Sequence, residues 1–108
     1  MTLEEYTQFV VRTCGATDDK DRFILAALGI AGEAGEVADL AKKLLSHGYQ
    51  EGHAVKFREE LGDLLWYIAL MCDILGFPLE NVLAANVEKL RKRYPEGWSV
   101  ERSINRGE

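Results

Sequence analysis

Apolar residues recur along this chain at intervals of three and four, and glycine and proline cut the pattern into four helical segments. Thr2 and Glu5 have capping-box spacing and open a first helix that reaches about Thr13. The polar run Gly15-Ala-Thr-Asp-Asp reads as a turn in which Asp18 or Asp19 caps the next segment. Helix two is expected from about Asp21 to Ser46, with Leu25, Leu28, Val37, Leu40, Ala41 and Leu44 as apolar positions and Gly48 as its stop. Helix three, about Ala54 to Leu75, carries Phe57, Leu61, Leu64, Leu65, Ile68, Met71 and Leu75. Gly76-Phe-Pro breaks it, and Pro78 suits the first turn of helix four, whose stripe is Leu83, Val87, Leu90 and Tyr94 before Pro95. No segment alternates like a strand and no repeat is present. The pattern predicts an all-α, four-helix, bundle-like domain over residues 1–108, with about 96–108 as a loosely ordered tail.

Two local departures refine this picture. The stretch from Leu64 to Cys72 is apolar on every helical face, and such a helix is normally buried all round. Three companion helices scarcely suffice to surround it, so a homodimer or a dimer-based tetramer is expected. The alternative is a central helix sheathed within one chain, with Trp66 left partly exposed. Helix two carries Gly29, Gly32 and Gly35, each costing about 1 kcal/mol against alanine in a helix interior. With Ala31, Ala34 and Ala38 beside them, they predict a flat surface that another backbone can approach closely.

Composition narrows the class without naming an activity. Hydrophobic residues make up 47% and charged residues 29%, a globular balance. The net charge of −5 argues against a polymeric nucleic-acid partner, which calls for a basic stripe. It is compatible with a small phosphorylated substrate, because a bound cation inverts the local field. The opening Met-Thr-Leu-Glu-Glu lacks the basic and apolar regions of a signal peptide, and the longest apolar run is about half a membrane span. Cys14 and Cys72 have no metal-ligand spacing, and Cys72 reads as a small buried hydrophobe. A reduced, cytoplasmic protein with no membrane partner is the expectation.

The chemistry lies in four carboxylates. Glu33 and Glu36 stand in G-E-A-G-E, and Glu60 and Asp63 in R-E-E-L-G-D. Each pair has i, i+3 spacing on one helix face, and each is set in apolar sequence where a solvated charge is not expected. Two such helices side by side bring four negative charges together, which is tolerable only when they are paired or bound to metal, and a hard divalent cation is the most economical partner. Di-iron bundles use Glu-x-x-His, whereas here the third position after each glutamate is Glu36 or Asp63. His47 and His53 flank the interhelix loop and read as surface residues. An all-oxygen set selects Mg2+, with Mn2+ as a substitute, over zinc or iron. On helix four, Asn86, Lys89 and Arg93 share a face at i, i+3, i+7, where an amide and two cations suit a sugar or base and phosphate oxygens.

The segments G-E-A-G-E-V, E-E-L-G-D-L-L-W-Y and N-V-E-K-L-R-K-R-Y-P together resemble the MazG-like nucleotide pyrophosphohydrolases of the all-α NTP pyrophosphatase superfamily. The resemblance runs from about Phe23 to Trp98. It implies that Glu33, Glu36, Glu60 and Asp63 bind magnesium, and that Tyr67, Asn86 and Lys89 hold the nucleotide and its phosphates. It also implies dimers or tetramers. Many members carry a further glutamate where this chain has Gly32, so their metal count does not transfer directly.

The activity expected is magnesium-dependent hydrolysis of nucleoside triphosphates, dNTPs or non-standard nucleotides, to the monophosphate and pyrophosphate. Glu33 or Glu36 would accept the proton of the attacking water. The rival reading is a non-catalytic oligomeric helical module whose acidic patch docks a basic partner.

Overall fold

A computed structural model describes residues 1–105. Among them the regular structure is helical: α1 (Leu3–Thr13), α2 (Asp19–His47), α3 (His53–Leu75), α4 (Leu79–Arg93) and α5 (Val100–Ile104). Short polar side chains set the starts of α1, α2 and α5, whereas α3 and α4 begin without a side-chain cap. The Thr2 hydroxyl accepts from the Glu5 N–H at 3.0 Å, and Glu5 Oε1 accepts from the Thr2 N–H at 2.9 Å, completing the capping box of α1. The Thr2 N–H first, and the Thr2 hydroxyl second, hold the Glu5 carboxyl below its ordinary range. Of the two candidate caps for α2 it is Asp18 that serves, accepting from the Lys20 and Asp21 N–H groups. α3 ends at Gly76, whose φ of 80° is left-handed backbone open to glycine at little cost. Pro78 is the residue before α4, one position outside the helix rather than in its first turn.

Two expectations change. The stretch read as a loose tail contains α5, which Ser99 starts by accepting from the Arg102 N–H at 3.1 Å. Residues 106–108 of that tail lie outside the described residues. His53 is buried, not a surface residue: it begins α3, and its Nδ1 accepts from the Gln50 N–H at 2.9 Å. Burying its ring against Tyr49 closes the five-residue connection between α2 and α3.

α2 and α3 form an antiparallel pair with a consistent register. Arg22 near the start of α2 pairs with Asp73 near the end of α3 at 2.7 Å. Gly29 meets Tyr67 one step inward, and Glu33 meets Glu60 and Asp63 beyond it. Ala26 and Ala69, both fully buried, let the backbones approach, and α1 closes the small core through Val10 against Leu70. Cys72 is buried, as expected.

α4 turns away from α3 by 98° and packs on α1 and α3, not along α2. Its apolar stripe is therefore left open, with Leu83 50% and Val87 45% exposed. Leu61 and Leu65 on α3 are likewise about half exposed. Within one chain, then, α3 is not sheathed on all sides. Trp66 is half-buried.

Candidate metal centre

The antiparallel register delivers carboxylates from two helices to one place. Glu33 on α2 and Glu60 and Asp63 on α3 each offer an oxygen, and these three oxygens lie within 4.8 Å of one another. Glu33 Oε2 is buried and, among the described residues, has no hydrogen-bond partner. A buried anionic oxygen without a donor costs free energy, and a cation is the partner that would remove that cost. Glu60 is held above the ordinary carboxyl range, first by hydrogen-bonding contact with Glu33, then by burial and by the charges of Glu33, Asp63 and Glu59. Two carboxyl groups can share such a bond only if one carries a proton. The donor set, three hard oxygens on two rigid helices, fits a divalent cation such as magnesium or manganese.

Glu36 does not join the three. It sits one turn further along α2 and is exposed. The crossing of the two helices, not the helical period, accounts for the difference: α3 meets one member of the first pair and leaves the other in solvent. Of the three glycines, only Gly29 makes the expected close approach, against the Tyr67 ring. Positions 32 and 35 face open space, left uncovered by the described residues.

Beside the carboxylates lies an open cavity of about 340 Å3 lined by Glu33, Asp63, Trp66 and Tyr67. Tyr67 follows Asp63 by one helical turn and backs onto Gly29. Trp66 meets Tyr67 edge to face, with ring centroids 5.0 Å apart and planes at 83°. Its indole N–H donates to the Thr13 hydroxyl on α1 at 2.9 Å. Tyr6, also on α1, is close enough to Asp63 that burial first and that charge second push its phenol above the ordinary value. Trp66 and Tyr6 were not anticipated at the site. The spacing of Trp66, three residues after Asp63 and so on the same face, was the available signal, while nothing in the sequence ties Tyr6 to Asp63.

Asn86 and Lys89 are exposed on α4, and among the described residues neither bonds to the carboxylates. Arg93 is half-buried at the end of the same helix. Among the described residues no single helix is long and apolar enough to cross a membrane; α3 and α4 meet both conditions only together, across their 98° bend.

The all-helical fold and the carboxylates gathered from two antiparallel helices give the outline of a cation site, and sequence comparison supplies the class. Residues 24–98 match the profile of the MazG nucleotide pyrophosphohydrolase domain, and the chain belongs to that family. The Gene 37 protein of Mycobacterium phage L5 is 31% identical over 86 residues, covering 77% of this chain and 75% of that one. The uncharacterized protein YvdC of Bacillus subtilis (strain 168) is 47% identical over 36 residues, 33% of this chain and 34% of that one. No solved structure gives a significant match. Membership implies nucleotide pyrophosphohydrolase activity in general, a nucleotide substrate and dependence on a metal.

Proposed function

We propose that this protein is a cytoplasmic enzyme that hydrolyses nucleoside triphosphates, dNTPs or non-standard nucleotides, to the nucleoside monophosphate and pyrophosphate. Water attacks the α-phosphorus, the α–β anhydride bond breaks, and its electrons leave with pyrophosphate. The observation that carries this reading is the convergence of Glu33, Glu60 and Asp63 around a buried, unpartnered Glu33 oxygen. These three would hold Mg2+, or Mn2+ in its place, which when bound supplies positive charge against the phosphate oxygens and makes water more acidic. Glu36, exposed one turn from Glu33, is the carboxylate left over to take up the water proton or to add a ligand once substrate arrives. Tyr67 forms a wall of the adjoining cavity and orients the nucleotide. Asn86, Lys89 and Arg93 contribute an amide for the sugar or base and cations for the phosphate oxygens.

The same reading includes self-association. The chain exposes 8074 Å2, whereas a compact protein of 12.1 kDa exposes roughly 6,000 Å2. Its radius of gyration is 17.0 Å, against about 13 Å for a compact chain of this length. The excess, about 2,000 Å2 per copy, is what an obligate interface buries. The open stripe of α4 and the open face of α3 are apolar, so a homodimer or dimer-based tetramer covers them and brings Lys89 of α4 toward carboxylates it does not bond among the described residues.

The test is a screen of ordinary and modified NTPs and dNTPs for pyrophosphate release with Mg2+. Release from at least one class of nucleotide, abolished by EDTA, is the expected result. A non-catalytic interaction module releases none.

A further inference from the structure

Trp66 has no part in holding a cation, yet it lines the same cavity as Glu33 and Asp63. Its surroundings fix the ring. The Thr13 hydroxyl lies 2.9 Å from the Phe9 carbonyl and 3.1 Å from the Val10 carbonyl, so its proton goes to its own helix. A lone pair is thereby left to accept the indole N–H. With that N–H engaged by α1, what the indole has left for a ligand in the cavity is its carbon framework and π-system. Tyr67, packed on the α2 backbone at Gly29, holds Trp66 in an edge-to-face contact. The result is a rigid aromatic wall beside three carboxylates, a pairing with no use for a bare phosphate. It suits a ligand with a polyphosphate at one end and a flat ring at the other.

We propose that Trp66 is the platform on which the nucleobase of the substrate rests, and that Thr13 is the positioning residue that holds the indole there. The inference rests on the nucleotide reading given above and adds to it the part of the molecule that the carboxylates do not contact. An indole face accepts every base by stacking and reads none by hydrogen bonding, so this wall adds affinity across bases more than choice among them.

The experiment uses the Trp98→Phe protein, in which Trp66 is the remaining tryptophan. Its fluorescence is followed with Mg2+ present while a non-hydrolysable dNTP analogue is added, and separately while inorganic tripolyphosphate is added. The nucleotide analogue is expected to quench Trp66 and the base-free tripolyphosphate to leave it unchanged. In parallel, Trp66→Leu in the otherwise unaltered protein is expected to raise KM for the nucleotide by roughly 5- to 150-fold, the span of base–aromatic stacking, with a smaller change in kcat. Trp66→Phe should recover most of that loss, and Thr13→Val should show a weaker version of it. Mn2+ binding by calorimetry, unchanged in Trp66→Leu, reports that the fold and the carboxylates are intact. Equal quenching by both ligands, or an unaltered KM in Trp66→Leu, overturns the proposal. A wild type that turns over no nucleotide but whose Trp66 is quenched by the analogue alone would remove the hydrolase reading and leave the platform standing.

Discussion

The Tyr67 ring lies directly on the α2 backbone at Gly29, so close that a Cβ at position 29 would overlap three of its ring atoms. This contact couples the helix pairing to the site, because Tyr67 also lines the cavity next to Asp63. The overlap involves the fixed inner part of the ring, which cannot swing aside as a flexible chain end would.

Gly29→Ala is therefore expected to destabilise the protein even though alanine is the better helix former. Overpacking costs about 1–3 kcal/mol, against a helix gain of about 1 kcal/mol. Gly32→Ala meets nothing among the described residues and should show the helix gain alone, unless a second copy covers that position. Thermal unfolding of the two variants separates them, since each kcal/mol moves Tm by about 4–8 °C in a domain of about this size. Equal Tm changes of the same sign would remove the claim that Gly29 is special.

Metal-free protein should respond to acid in an unusual direction. A carboxyl whose folded pKa is raised binds a proton in the folded state at a pH where the unfolded chain does not. Stability then rises as pH falls from neutral through the raised value of Glu60 toward its ordinary value of 4.5. The expected outcome in EDTA is a Tm that climbs over this window in the wild type and climbs less in Glu60→Gln. Below that window the lowered Asp39 and Glu5 carboxyls act in the opposite sense and stability is lost. Matching Tm–pH curves for the two proteins would show that Glu60 is not crowded by Glu33.

Helix boundaries and caps were legible in the sequence because they depend on a few neighbouring residues: Thr2 with Glu5, Asp18, Gly76. The pairing of Glu33 with Glu60 and Asp63 was legible too, since two antiparallel helices with i, i+3 acids can meet in few registers. Glu36 was not separable from Glu33 by spacing, because how much of a helix face another helix covers depends on the crossing and not on the period. His53 and Trp66 show the same limit. Each is defined by a partner far away in sequence or supplied by a loop, Gln50 for one and Thr13 for the other. The small α5 depends on one cap, Ser99, inside a stretch whose composition resembles a loop.

The apolar stripe of α4 gives a separate test. Leu83 is half exposed in a single chain, so Leu83→Glu should be harmless to an isolated monomer. If a second copy covers the stripe, the same change buries a charge and breaks the assembly. Light scattering at micromolar concentration is expected to give at least twice the 12.1 kDa chain mass for the wild type and the single mass for Leu83→Glu. A stable, well-folded wild-type monomer would contradict the dimer.

The central claim is that Glu33, Glu60 and Asp63 hold the divalent cation on which hydrolysis depends. Pyrophosphate release from a nucleoside triphosphate, measured for wild type and Asp63→Asn with Mg2+ and with excess EDTA, tests it most directly. Asp63 is exposed, so the asparagine leaves the fold intact while removing one anionic ligand. The account predicts release by the wild type only with Mg2+, and a fall of at least about 100-fold in Asp63→Asn, the scale on which losing a metal-centred interaction is felt. Undiminished release by Asp63→Asn in EDTA would contradict it.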